Sequence, residues 1–190
     1  MNAGVNILTS WEPFFLNQNT PEEGEDIYEH LAHKYGAARA AQFTKPGNPL
    51  DQAGDKVGIT FNTARRIIRT EASHRLVEWC KATCPNKEDA LMDSLFKAYF
   101  CDAKDLSKYP ELLKCAVEAG LDAEAAKAML DSPQYRSEVV QKAMGWSRQG
   151  VSGVPFFVIH TASGNGQPVV FSGAQPPEVI AEVLREQAEE

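Results

Sequence analysis

No apolar run in this chain of 190 residues approaches the roughly 18 consecutive residues that a membrane-spanning helix needs, so no span is expected. The opening MNAGVNILTS holds neither Lys nor Arg and no long apolar stretch, which argues against a secretory leader. Cysteine is scarce: Cys80, Cys84, Cys101 and Cys115 are the full set. No two are spaced as CxxC, and no His or Cys cluster has zinc-finger spacing. Reduced thiols in a cytosolic compartment are therefore the default expectation. Basic residues are also few, 19 against 26 acids for a net charge of -7, and the pI of about 5.2 disfavours general nucleic-acid binding. Internal repeats and low-complexity segments are absent.

What is present is ordinary for a folded chain. Hydrophobic residues make up 43% and charged residues 24%, which excludes disorder as the main state and leaves enough chain for a real core. The length fits one domain, or one domain with a large insertion. Charge is uneven: residues 1–33 hold Glu12, Glu22, Glu23, Glu25, Asp26 and Glu29 and no Lys or Arg. The last fifteen residues are also acidic. Neither run is a block of consecutive like charges, so both read as solvated helix ends.

Pattern divides the chain into textures. Val5, Ile7 and, after Leu8, Thr9 and Ser10, Trp11 give an apolar run with period-2 character that reads as a strand ended by Pro13. Thr20-Pro21, with Glu22 and Glu23 behind it, reads as a helix start. Ile27, Leu31 and Tyr35 form a helical stripe that closes near Gly36, and Ala37–Phe43 suits a short helix. KPGNP, 45–49, is the densest breaker cluster. From Thr70 to Gly145 the period is helical, with starts expected at Thr70, Asn86, Pro110, Asp122 and Ser132-Pro133. Then β-branched and aromatic residues take over. Pro155–His160 reads as a strand, Gly164-Asn165-Gly166 as a turn, Val169–Phe171 as a second strand, and Pro177 as the start of a last helix. Strands flanking a long helical block indicate an α/β domain with a helical insertion.

The segment GVSGVPFFVIH, 150–160, is the most informative. A proline opening a strand behind Gly and Val suits a cis Val154–Pro155 bond. With WEPFFLNQNTPEEG, HKYG, GITFN, RTEASHRL, LFKAYF, EAGLD and FSGAQPPE, it makes the chain resemble the cytosolic DsbA-like thioredoxin-fold oxidoreductases of the FrnE type. The resemblance runs from about Trp11 to Leu184. It implies a thioredoxin-like fold, residues 1–25 and 148–190, carrying an all-helical insertion, residues 26–147. It also implies that Pro155 lies beside an active-site dithiol, that the peptide groups at Val154 pair with an extended substrate, and that His74 and Arg75 belong to the pocket. Read from the residues alone, a single His without a partner in sequence is a surface or hydrogen-bonding residue.

The departure from the family pattern is as informative. The family's CxxC opens its first helix, where the helix end lowers the thiol pKa. Here residue 5 already corresponds to the second strand, so the chain reads as N-terminally truncated, without the first strand, the dithiol or the first helix. Cys80 and Cys84, four apart on one helix, read as buried small residues in preference to a redox pair; Cys101 and Cys115 read as structural. Arg65, Arg66 and Arg69 form either a solvated face or a grip for a glutathione carboxylate. Trp11, Phe14 and Phe15 read as core or cleft lining.

Two functional readings stand side by side. One is a thiol–disulfide oxidoreductase by family, without dithiol activity as the sequence stands, acting on protein thiols or a small thiol. The other is a non-catalytic module that binds a peptide or glutathione on the proline platform. Glutathione is the one cofactor implied, since the related 2-hydroxychromene-2-carboxylate isomerases and kappa-type glutathione transferases use it. No metal, nucleic acid or membrane is expected as a partner; a homodimer is. Without the first strand, Val5–Leu8 must pair inward with Phe156–Ile159, detach, or give way to a strand from a second chain.

Overall fold

The computed structural model describes residues 6–161 and 166–189. These fall into two compact units, one within Met1–Leu16 and Lys142–Glu190 and the other Asn17–Gln141. The second unit begins earlier than residue 26 for a specific reason. Glu25–Asp26 (β1) pairs antiparallel with Arg66–Ile67 (β2), and Arg69 Nε donates to the Thr20 carbonyl at 2.7 Å. The insertion expected to be all-helical thus contains a short ladder.

The chain turns helical where its capping residues allow. Ile27–Tyr35 (α1) starts at Asp26, whose carboxylate accepts from the N–H groups of Tyr28 and Glu29. The expected start at Thr20-Pro21 gives way to this cap, because residues 25–26 are taken by the ladder. Ala37–Thr44 (α2) comes directly after Gly36. Inside the breaker cluster, Asn48 caps Pro49–Asp55 (α3), a helix that the density of Pro and Gly conceals in the sequence.

The main core lies in the helical block. Glu71–Thr83 (α4) packs on Glu88–Phe96 (α5), Tyr109–Glu118 (α6) and Ala123–Asp131 (α7). Leu76, Leu91 and Leu112 are fully buried there; each buried leucine side chain contributes roughly 1.5–3 kcal/mol. Asp122 caps α7, accepting from the Ala125 N–H at 2.7 Å. Ala126, Met129 and Leu130 turn inward from it. On α6 the inward residues are Leu112, Cys115 and Ala116, while Val117 is exposed. The helix at Asn86 begins with a 3-10 turn, Pro85–Lys87, before α5. Beyond α5 the helix widens into a π turn, Lys97–Cys101, and Asn62 donates its N–H to the Phe100 carbonyl at 2.8 Å.

Arg136–Arg148 (α8) begins after Tyr135, which has a left-handed backbone with φ 62°. The other unit holds Phe156–Ile159 (β3), Val169–Ser172 (β4) and Pro177–Glu189 (α9). The hairpin register pairs Phe156 with Ser172 and Ile159 with Val169. The expected turn at Gly164-Asn165-Gly166 lies mostly outside the described residues. On α9, Ile180, Val183 and Leu184 are half-buried, and Val179 is exposed.

The expected strand at the N-terminus does not form among residues 6–16; Val5 lies outside the described residues. Ile7 and Leu8 are 54% and 91% exposed. Two apolar residues cannot hold a strand without a neighbouring ladder. The described partner of β3 is β4 alone.

Candidate functional site

Helix α8 ends in a glycine turn. Gly150, at φ 93°, donates its N–H to the Ser147 carbonyl, and the Val151 N–H reaches the Trp146 carbonyl, both at 3.1 Å. The positive φ is why glycine stands there. Val151 is buried and anchors the start of the next loop. The chain then runs through Ser152 and Gly153 to a cis Val154–Pro155 peptide bond. A groove of about 270 Å³ opens here, lined by Gly150, Ser152–Phe156, Ser172 and Gly173.

Hydrogen-bond direction decides what this groove offers. The Gly173 N–H donates to the Pro155 carbonyl at 2.8 Å, so residues 155 and 173 form a bonded pair in the antiparallel register. Bonded and non-bonded pairs alternate along such a ladder. Phe157 and Ile159 therefore direct their peptide groups toward β4, and Phe156 and Val158 direct theirs away from it. Pro155 lacks an N–H on the β4 side, where its absence leaves the open edge intact. Val154 makes no backbone hydrogen bond among the described residues and is 53% exposed. The arrangement is a strand edge beside a groove of small and apolar residues with two serines at its rim.

The other candidates belong to the helical unit. His74 and Arg75 sit on α4, in the helical unit, whereas Val154 and Pro155 belong to the hairpin unit. His74 is half-buried, with its N–H donated to the Thr70 carbonyl. Arg75 is 1% exposed. Its guanidinium donates to the carbonyls of Gln134 at 2.8 Å, Met129 at 3.0 Å, Leu130 at 3.5 Å and Ser132. Those bonds close the C-terminal end of α7 and the loop after it, so the group is spent on the protein's own backbone. Arg65, Arg66 and Arg69 also donate to backbone carbonyls, those of Asn62, of Glu23 and Gly24, and of Thr20. Arg65 further lies 5.4 Å from the centre of the Phe100 ring.

The four cysteines are free thiols. Burial pushes the Cys80 thiol up to about 11, with smaller contributions from Cys84 and Glu88. Burial likewise raises Cys115. A thiol held protonated is a poor nucleophile. Cys84 ends α4 outside helical geometry, and its carbonyl lies 3.5 Å from the Cys80 sulfur. Among the described residues no three His, Cys, Asp or Glu side chains are arranged to hold a metal, and no helix is long and apolar enough to cross a membrane. A second hollow, lined by Glu25, Tyr28, Glu29, Ala32 and His33, was not foreseen. Its signal was the i, i+4, i+8 spacing of Glu25, Glu29 and His33.

Comparison with known proteins gives this geometry a setting. No curated protein matches the chain. A solved structure from Streptomyces coelicolor, named as a probable DsbA oxidoreductase, is similar at 28% identity and a TM-score of 0.74, over 93% of this chain and 74% of that one. A second, from Nitrosomonas europaea and named as a candidate protein disulfide isomerase, shares the fold at 17% identity and a TM-score of 0.65, over 81% of this chain and 74% of that one. The profile of the DSBA-like thioredoxin domain matches residues 5–185. A thioredoxin-type hairpin, a large helical unit and a match over nearly the whole length place this chain in the DsbA-like thioredoxin domain family.

Proposed function

We propose that these 190 residues supply the substrate-holding part of a thiol–disulfide oxidoreductase and bind an extended polypeptide along Val154–Phe156 without performing dithiol exchange themselves. The observation that carries the reading is the open backbone at Val154, at the mouth of a groove lined by small and apolar residues. An extended peptide gains main-chain hydrogen bonds from such an edge and specificity from side chains set alternately into the groove. The absence of dithiol chemistry rests on the sequence, which has no CxxC, and on the raised pKa values of Cys80 and Cys115. Protein thiols are the substrate class, and glutathione is the small-thiol occupant of the same groove. Four free cysteines suit a reducing, cytosolic compartment.

The test pairs binding with turnover. A cysteine-containing extended peptide should bind in a calorimetric titration, while insulin reduction stays at the level of a variant with Cys80 and Cys84 both changed to Ser. Gly153 lines the groove and a Cβ there would meet nothing within 4 Å, so Gly153→Leu should be accommodated without strain and, by crowding the groove, weaken the peptide about tenfold, a loss of about 1.4 kcal/mol. Unchanged affinity in Gly153→Leu overturns the assignment of the groove. Turnover above the double-serine control overturns the assignment of the thiols.

A further inference from the structure

We infer that Cys80 and Cys84 form a reversible oxidation site in the helical unit, closed to an intramolecular disulfide by a low-molecular-weight disulfide of the glutathione class. Spacing alone argues against such a pair, because cysteines four apart on a regular helix aim their Cβ atoms in parallel. The structure changes that argument at one residue. The helical ladder reaches as far as Cys84, whose N–H donates to the Cys80 carbonyl at 2.7 Å. The two Cα atoms are therefore one turn apart, about 6 Å by helix rise, within the span a disulfide bridges. Cys84 itself has left the helix, at φ -143° and ψ 60°, and Pro85 opens the 3-10 turn behind it. Its Cβ no longer follows the helical direction.

The two sulfurs are neighbours. The Cys80 Sγ lies 3.5 Å from the Cys84 carbonyl oxygen, an atom two bonds from the Cα that also carries the Cys84 thiol. Cys84 is also among the groups that bear on the Cys80 thiol electrostatically, with Glu88 of α5. The one contact that closure gives up is a weak bond from a thiol to a carbonyl.

Exposure sets the order of reaction. Cys80 is fully buried, in the cluster built on Leu76, Leu91 and Leu112. Cys84 is half-buried at the helix end, where a small molecule reaches it. The Cys84 thiolate attacks one sulfur of the small disulfide, forms a mixed disulfide and releases one small thiolate. Cys80, kept protonated by burial, reacts second: it gives its proton to solvent, and its sulfur displaces the other small thiolate from Cys84. The two protein thiols lose two electrons and two protons, and the small disulfide becomes two thiols. A ring this short removes little entropy from the unfolded chain, so the bond adds little stability and is of the labile, regulatory kind. This is a single oxidation of the chain and not turnover on a protein substrate, so it stands apart from the groove and from the function proposed above.

The experiment incubates the full chain with oxidised glutathione, traps the remaining thiols with N-ethylmaleimide in denaturant and maps the peptides by mass spectrometry. Cys80 and Cys84 should lose labelling together and appear joined, and dithiothreitol should restore both. In Cys80→Ala, Cys84 should stop at the mixed disulfide and keep one glutathione. If that variant loses its helical circular dichroism, the map of the unmodified chain decides. An unmodified chain whose Cys84 keeps glutathione at equilibrium while Cys80 still takes the label overturns the inference. So does a Cys84 that does not react, or one that pairs with Cys101 or Cys115.

Discussion

Replacing Arg75 by Met separates two roles that the sequence leaves open. The guanidinium is 1% exposed and donates to the carbonyls of Gln134, Met129, Leu130 and Ser132. Arg75→Met keeps most of the volume and removes every donor. A buried acceptor left without a partner costs about 1–3 kcal/mol. The Gln134 bond, at 2.8 Å, is well formed; the Met129 carbonyl keeps the Ser132 N–H and hydroxyl as donors, and the Leu130 contact, at 3.5 Å, adds little, so the loss falls chiefly on the Gln134 and Ser132 carbonyls. Relief from burying a charge offsets part of the loss, so the net effect is about 3–5 kcal/mol, a large share of the roughly 5–15 kcal/mol that holds a domain folded. At about 2–4 °C per kcal/mol for a chain of this size, thermal melting tracked by helical circular dichroism should fall by roughly 10 °C. Arg75→Lys, with one ammonium that cannot fork across several carbonyls, should fall about half as far. A Met variant that melts within about 1 °C of the parent, yet has lost affinity for a groove peptide, would refute this reasoning and make Arg75 a ligand contact.

Three further outcomes are expected. Cys80 is protonated more strongly in the folded state, so its contribution is intact below the ordinary thiol value of 9.0 and is lost as pH rises from there to about 11; at about 1.4 kcal/mol per unit, denaturation midpoints should drop across that window, and Cys80→Ala should flatten the drop. A Cβ on Gly54 would lie 2.9 Å from the Phe61 ring and closer still to the Ile59 backbone carbonyl, so Gly54→Ala should destabilise by about 2 kcal/mol or more in urea titration. Ala103 holds a left-handed backbone at φ 52°, so Ala103→Gly should raise stability by about 0.5–1 kcal/mol, and a lower melting temperature would contradict that.

Legibility tracked locality. Asp122 with Ala126, Met129 and Leu130 was readable because cap and stripe both act within a few residues. The hairpin and the helix at Pro177 were readable for the same reason. The ladder of Glu25–Asp26 with Arg66–Ile67 was not, since its two halves lie about forty residues apart and each is two residues long. Helix α3 hid behind its own cap, because Asn48-Pro49 reads as a breaker until the Asn48 side chain is seen accepting from Leu50 and Asp51. In the site, Val154 and Pro155 came from a motif. The burial of Arg75 came from a loop some sixty residues away, which no local pattern announces.

The division of the chain also sets an order of events during synthesis. Asn17–Gln141 is one continuous stretch, whereas the hairpin unit is assembled from segments on either side of it. A ribosome therefore releases everything the helical unit requires while β3, β4 and α9 are still to be made. Contacts that are close in sequence form quickly, and domains tend to fold in the order in which they emerge. Ile7, Leu8 and Trp11 belong to the unit completed last, although they are made before the helical unit. The helical unit can therefore close its core before the hairpin exists, and the segments of the other unit come together only once its synthesis is complete.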